Sequence, residues 1–220
     1  MVETMQRKFV TVLAIVALAP AAFAQEADLA NGEALFKTCS PCHGDSGRGL
    51  TIDDRDGLIH LAPAIAGLPA WYVGSQLLKF QTGVRGAHPD DLEGLRMRPM
   101  SRALTGEEQR ANVAAYVASL PVAALPSTVD GDPVKGKTLY TPCIACHGPE
   151  GQGNQALNGP PLTHMSDWYI VSSMEKFKTG QRGGDASKDP FAALMRPMAM
   201  TLTTDADVRD VAAYLRTLGN

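Results

Sequence analysis

The chain lacks the features that mark several large classes of protein. It has no excess of basic residues, because 20 Lys and Arg stand against 23 Asp and Glu for a net charge of −3. This balance argues against a nucleic-acid-binding surface. Its 45% hydrophobic and 20% charged residues are ordinary for a globular protein and exclude a disordered or collagen-like chain. We therefore expect a folded protein with no nucleic acid among its partners.

Long apolar runs are also scarce, and the one present lies at the N-terminus. Arg7 and Lys8 precede an apolar stretch over residues 9–19, and an Ala-Phe-Ala cleavage site follows at 22–24. This layout predicts a secretory signal peptide over residues 1–24. The alternative is an uncleaved anchor, but the run is shorter than the ~20 residues that a membrane span needs. We expect an exported protein with no transmembrane span after signal removal.

The rest of the chain is a tandem duplication. Residues 62–86 match residues 159–183 at a constant offset of 97, and residues 97–120 match residues 195–218 at an offset of 98. Identical pairs in the first two segments include Pro63/Pro160, Trp71/Trp168, Tyr72/Tyr169, Lys79/Lys176, Phe80/Phe177 and Arg85/Arg182. A single repeat of this length predicts two copies of one domain.

The joint between the copies is residues 121–133, whose Pro, Gly and Asp content is typical of an exposed linker. The first domain is therefore expected over residues 25–120 and the second over residues 134–220. Apolar residues recur at helical spacing in both copies, without convincing strand alternation. The expected fold class is all-α, with two tandem small helical bundles. Thr105 and Glu108 predict a capping box at the last helix of the first domain.

Cysteine is rare, and all four cysteines lie in Cys-x-x-Cys pairs that a histidine follows at once. The residues are Cys39, Cys42 and His43 in the first copy and Cys143, Cys146 and His147 in the second. Cys-x-x-Cys-His is the attachment signature of c-type haem. Residues three apart share one face of a helix, so both sulfurs can bond one porphyrin and the histidine can bind its iron. The sequence predicts two covalently bound haem c groups.

Three other uses of such cysteines explain less. Disulfides are common in exported proteins, but they leave the repeated histidine without a role. The two pairs lie in separate copies of a domain, which argues against one shared zinc site. A thioredoxin-like redox pair needs a βαβ context that the sequence does not show.

Four of the nine methionines belong to a segment written twice, Met-Arg-Pro-Met. Met97 and Met195 open the two segments, and Met100 and Met198 close them. Electron-transfer haems commonly pair histidine with methionine, so the sixth iron ligand is predicted to come from this segment, in a loop before the last helix. Either methionine of each segment could serve. The remaining histidines, His60, His88 and His164, have no histidine counterpart and are expected at the surface or in loops.

With these motifs the chain resembles class I cytochromes c, and specifically the di-haem cytochrome c4 family, over essentially its whole mature length. The resemblance implies a class I fold in each domain, with the haem propionate edges near each other. It also implies that a carbonyl near Pro63 and Pro160 hydrogen-bonds the proximal histidine. The family spacing from the methionine to the last helix implies Met97 and Met195 as the iron ligands opposite His43 and His147.

Two further features remain open at this stage. Repeated arginines, Arg85/Arg182 and Arg98/Arg196, could neutralise propionates, or they could be solvated surface charge. The first copy also carries extra residues after its cysteine motif. These could shape a partner surface or be only a tolerated insertion.

The resemblance implies an electron carrier and not an enzyme, because two His/Met irons leave no open position for a substrate. The expected setting is the bacterial periplasm. The expected partners are a quinol-oxidising complex, a dehydrogenase, an oxidase or a reductase. Two alternatives stay open: a haem-bearing subunit of a larger periplasmic oxidoreductase, and a catalytic di-haem enzyme.

Overall fold

The structure is a computed structural model that describes residues 26–54 and 57–219. The signal peptide predicted over residues 1–24 lies outside the described residues. The expected all-α class is confirmed, since the described chain is mostly helical with little strand. None of its described helices combines the length and the hydropathy needed to cross a membrane.

The helices of the two domains correspond one to one. In the first domain the described elements are α1 (Leu29–Phe36), α2 (Ser40–His43), β1 (Leu50–Asp54), β2 (Gly57–Ala62), α3 (Ala70–Thr82), α4 (Leu92–Arg102) and α5 (Gly106–Ser119). In the second domain they are α6 (Pro133–Leu139), α7 (Ile144–His147), α8 (Asp167–Thr179), α9 (Pro190–Met200) and α10 (Asp205–Leu218). Two 3₁₀ turns, Thr141–Cys143 and Gln155–Leu157, complete the second domain.

A glycine lets the first and last helices of each domain cross closely. Gly32 on α1 lies against the backbone carbonyl of Asn112, and Gly136 on α6 lies against the backbone carbonyl of Asp210. A Cβ atom at either glycine would overlap that carbonyl. An aromatic pair flanks each crossing, Phe36–Tyr116 at 5.3 Å between ring centroids and Tyr140–Tyr214 at 5.6 Å. The crossing fixes the helix that leads into each cysteine motif.

The apolar core of the second domain includes residues of the first. Leu68 and Tyr72 are buried in one cluster with Tyr140, Met165, Ile170, Leu202, Val208, Val211, Ala212 and Leu215. The first domain has a separate cluster of Phe36, Leu77, Leu104, Val113 and Val117. The side chains that close the second core therefore come from both halves of the chain.

The extra residues of the first domain form an antiparallel hairpin, so the expectation of no strand is wrong there. In the ladder of β1 and β2, Thr51 lies opposite His60 and Ile52 lies opposite Ile59. The imidazole of His60 stacks on the indole of Trp168 in the second domain, with 4.6 Å between ring centroids and 9° between planes. His60 therefore lies in a strand and not in a loop, and it is partly exposed while it contacts the second domain. The insertion therefore contributes to the contact between the two domains.

The segment between the domains is held against the start of α8. The buried carboxylate of Asp167 accepts hydrogen bonds from the backbone N–H groups of Thr128, at 2.8 Å, and Val129, at 3.2 Å. The Thr128 hydroxyl donates to the same carboxylate at 2.5 Å. Arg48 of the first domain donates to the carbonyl of Ala124 at 2.6 Å. These contacts fix the path of the connection.

Asp167→Asn should make unfolding less sensitive to acid. Burial raises the pKa of Asp167, but hydrogen bonds from Thr128, Trp168 and Val129 outweigh it and hold that pKa below its usual range. A carboxyl whose pKa is lowered by folding stabilises the folded state at pH values above its unfolded pKa of about 4. This stabilisation is lost as the pH falls through the pKa of the folded state. The difference in unfolding free energy between the native chain and the variant should be largest at pH 7 and shrink below pH 4. Thermal unfolding of both proteins across that range measures it, and a constant difference would contradict the assignment.

Candidate haem sites

Each cysteine motif lies on a short helical turn that buries its histidine. In the first domain Cys39 caps α2, and the N–H of His43 donates to the Cys39 carbonyl at 3.0 Å. Cys42 is exposed while Cys39 is half-buried. The second domain repeats the arrangement, with Cys146 exposed and Cys143 half-buried. One turn therefore presents two sulfurs and one imidazole together.

The two histidines are oriented by a proline carbonyl, as the resemblance implied. Nδ1 of His43 lies 2.9 Å from the Pro63 carbonyl, and Nδ1 of His147 lies 2.8 Å from the Pro160 carbonyl. Burial lowers the pKa of both imidazoles, although the same hydrogen bonds oppose that effect. A neutral ring that donates through Nδ1 leaves the Nε2 lone pair for a metal.

An apolar cleft in the second domain adjoins its histidine. It opens to solvent, and its empty space together with that open mouth amounts to about 1020 Å³. Cys143, His147, Phe177, Met195 and Met198 are among its lining residues. Trp71 and Tyr72 of the first domain complete its wall. A large, mostly apolar cleft that holds a thiol, an imidazole and thioethers fits a covalently attached haem.

The Met-Arg-Pro-Met segments lie in helices and not in the expected loops. They form the C-terminal turns of α4 and α9, with Pro99 and Pro197 inside the helices. Proline lacks an N–H, so Pro99 costs α4 only the bond to the Leu95 carbonyl four residues before it. The Pro99 carbonyl still accepts from the N–H of Ala103 at 3.1 Å. One missing bond does not end the helix.

In the first domain, the first methionine of the segment is better packed than the second. Met97 and Cys39 both pack on the core of the first domain, whereas Met100 is 38% exposed. In the second domain Met195 packs against a cluster that includes Phe177, but Met198 also lines the cleft. Residues three apart share one side of a helix, which brings both methionines of α9 to the same cleft.

Two repeated arginines meet at the domain interface. Nη2 of Arg85 donates to the hydroxyl of Tyr169 at 2.7 Å, and Nη2 of Arg182 lies 3.4 Å from the hydroxyl of Tyr72. The side-chain oxygen of Gln76 accepts from both arginines, at 2.9 and 3.3 Å. Each domain thus sends an arginine to the tyrosine of the other.

The positive charge of this pair is not balanced by ion pairs. Neither Arg85 nor Arg182 pairs with a carboxylate of the described residues; their partners are hydroxyls and an amide. Burial raises the pKa of Tyr169, but the charges of both arginines outweigh it and lower that pKa to about 7. The site therefore favours anions, which fits haem propionates at the interface. Solvated surface charge does not describe these two arginines.

A third arginine adds a buried donor near the methionine. The Nε atom of Arg98 is buried and has no hydrogen-bond partner among the described residues. Arg98 follows Met97 directly, and its guanidinium lies beside Gly83. Arg196 takes the same position beside Gly180 in the second domain. A buried donor without a partner is a further position that an anionic group can satisfy.

Comparison with known proteins follows the division seen in the fold. Residues 29–121 and residues 133–219 each match the family model for cytochrome c. The chain belongs to the cytochrome c family. This cytochrome is 25% identical over 228 residues to cytochrome c4 of Azotobacter vinelandii, an alignment that covers 97% of this chain and all of that one. It is 28% identical over 192 residues to a thiosulfate dehydrogenase electron acceptor of Stutzerimonas stutzeri, with 82% and 79% covered.

A solved structure of a cytochrome c4 also resembles this chain. The cytochrome c4 of Acidithiobacillus ferrooxidans superposes with a TM-score of 0.62 at 26% identity, over 83% of this chain and 99% of that one. The expected resemblance to the di-haem cytochrome c4 family is confirmed. Its cofactors are two covalently bound haem c groups, and its function is electron transfer.

Sequence reasoning missed several interface residues. Tyr72, Gln76 and Lys79 reach across to the second domain, but from the sequence Tyr72 and Lys79 were given no role beyond their repeat and Gln76 was not singled out. The signal was present, since Tyr72 and Lys79 recur in the second copy at the offset of 97. A repeated polar residue on an otherwise apolar helix face indicates a partner that a single domain does not supply.

Proposed function

We propose that this cytochrome is an exported, periplasmic electron carrier without substrate chemistry of its own. Haem iron, when bound, supplies a one-electron Fe(II)/Fe(III) couple. The chain is proposed to bind it through Cys39 and Cys42 in a first domain over residues 25–120. A second domain over residues 134–220 is proposed to use Cys143 and Cys146.

The axial ligands proposed are His43 with Met97 and His147 with Met195. The observation that carries this proposal is the paired hydrogen bond from each Nδ1 to a proline carbonyl. This hydrogen bond holds each ring so that Nε2 remains free. In the second domain, Met195 and His147 line the same cleft. Two such ligands at each iron would leave no coordination position for a substrate.

The surrounding residues would also determine the reduction potential of the iron. The thioether of methionine favours Fe(II) and raises the reduction potential, and the apolar cleft lowers the local dielectric. The Nδ1 hydrogen bond raises the basicity of the histidine and fixes its orientation. A fixed coordination set lowers the reorganisation that accompanies each electron transfer.

Redox proteins are the proposed partners. One relative over most of this chain is a thiosulfate dehydrogenase electron acceptor, which supports a periplasmic dehydrogenase as electron donor. An oxidase, a reductase or a quinol-oxidising complex completes the proposed set. The class proposed is a protein that exchanges single electrons with this cytochrome.

The test is a spectrum of the oxidised, purified protein with haem counted per chain. We expect two covalently bound haems, low-spin iron, and the weak near-infrared band of methionine–iron(III) coordination. The amplitude of that band per haem should match His/Met ligation of both irons. A resting high-spin haem would leave an open position and would favour the catalytic alternative instead.

A further inference from the structure

A lysine of each domain reaches into the other. Nζ of Lys79 on α3 lies 2.8 Å from the carboxylate of Asp189, and Nζ of Lys176 on α8 lies 2.6 Å from the carboxylate of Asp91. The two lysines correspond at the offset of 97 and the two aspartates at 98. The pairs are therefore reciprocal, each with its lysine in one domain and its aspartate in the other.

Both aspartates cap the helices that carry the Met-Arg-Pro-Met segments. Asp91 accepts from the N–H of Gly94 at 3.0 Å at the start of α4, and Asp189 accepts from the N–H of Ala192 at 3.0 Å at the start of α9. They are only 2% and 7% exposed. A buried carboxylate needs a compensating charge, and here the other domain supplies it. The ion pair fixes the first turn of a helix whose last turns bear the methionines.

We propose that Lys79 and Lys176 are positioning residues that hold the methionine-bearing helix of the opposite domain. Each haem then depends on the other domain for the placement of its sixth ligand. This inference rests on the proposed ligation by Met97 and Met195. It concerns what holds those ligands, which the ligation itself does not decide.

The two pairs are unequal. Lys176 also lies 2.8 Å from a carboxylate oxygen of Glu93, so it binds two acids on α4. The residue that corresponds to Glu93 in the second domain is Phe191, so among the described residues Lys79 forms an ion pair only with Asp189. The helix of the first domain is therefore held by two ion pairs and that of the second by one. Loss of Lys176 should have the larger effect.

The experiment measures methionine displacement in the holoprotein, with imidazole as the competing ligand. Imidazole competes best with the thioether in the Fe(III) form, so the oxidised protein is used. Two upfield methyl signals of iron-bound methionine in its proton spectrum report the two haems, and Met97→Ala and Met195→Ala assign them. Lys176→Gln should raise the rate of imidazole replacement at the first haem roughly tenfold and leave the second within about twofold. Lys79→Gln should show the reverse pattern with a several-fold effect.

Three variants separate positioning from general loss of stability. Lys135→Gln removes two ion pairs of similar length, to Asp207 and Asp210, away from α4 and α9, and should leave both haems unchanged. Lys176→Arg should restore the native rate. Asp91→Asn keeps an oxygen that can cap the helix and loses the charge, so it should reproduce Lys176→Gln at the first haem.

The outcomes distinguish this inference from the proposed function. If both methyl signals are present in the native protein but Lys176→Gln affects only the second haem, or neither, the inference is overturned while the ligands stand. If Lys135→Gln accelerates the first haem as much as Lys176→Gln does, positioning is also overturned. If the native protein shows no bound-methionine signal, the ligand assignment fails, and the inference fails with it.

Discussion

Met97→Ala should remove the near-infrared methionine–iron(III) band of the first haem and lower its reduction potential by roughly 100 mV or more. Met100→Ala should leave the band in place. The physical reason is position, because Met97 packs on the same core cluster as Cys39 whereas Met100 is partly in solvent. Loss of the soft thioether removes the ligand that favours Fe(II).

The measurement is a redox titration of each variant with the spectrum of the oxidised form. In the second domain Met195→Ala is expected to behave as Met97→Ala does, although Met198 shares the cleft with it. Met200→Ala is the matched control, since that side chain is 58% exposed on the same helix. If Met100→Ala or Met198→Ala alone abolished the band of its domain, the ligand would be the second methionine of the segment.

Gly136→Ala should destabilise the protein by about 2–3 kcal/mol, even though alanine is the better helix former. The added Cβ would overlap the backbone carbonyl of Asp210 at the crossing of α6 and α10. The helices would have to move apart, which disturbs the turn that carries Cys143 and Cys146. Chemical denaturation of the holoprotein gives the free energy of unfolding.

Gly74→Ala is the matched control for this effect. Gly74 lies within α3, and a Cβ there would meet only the Cβ of Ala114 at an ordinary 3.8 Å. It should stabilise the protein by about 0.5–1 kcal/mol through helix propensity alone. Equal and stabilising effects of the two substitutions would show that the α6–α10 crossing has room to spare.

The duplication made the main features of the fold and the cofactor predictable. Each half repeats Cys-x-x-Cys-His, a tryptophan–tyrosine helix and a methionine segment, so residues with a shared role could be recognised by recurrence. Features present in only one copy had no such support. The hairpin of β1 and β2 belongs to the insertion of the first copy, and it packs on Trp168 of the second domain through His60.

Predictions made from short sequence motifs were wrong where the backbone conformation or another side chain determined the local structure. The capping box expected at Thr105 and Glu108 is absent, because Gly106 takes a φ of 89° and the side chain of Gln109 binds the Thr105 N–H instead. A capping box occurs in the second domain, between Thr204 and Asp207. The Met-Arg-Pro-Met segments were expected in loops, but they form the last turns of α4 and α9, whose first turns are capped by Asp91 and Asp189.

The interdomain contacts also lie beyond what one copy of the sequence can show. Arg85 and Arg182 were visible as repeated charges, but only the fold brings each to the tyrosine of the other domain. Lys79 and Lys176 recur as well, and nothing in their local sequence points to an aspartate about a hundred residues away. A reciprocal interface is a property of the pair of domains.

Leu68 and Tyr72, which complete the core of the second domain, have a consequence for how the chain comes apart. A fragment of the second domain alone would lack both side chains and expose the face they cover. The two copies therefore form a single cooperative unit, and a calorimeter should record one unfolding transition for the whole molecule where the sequence suggests two.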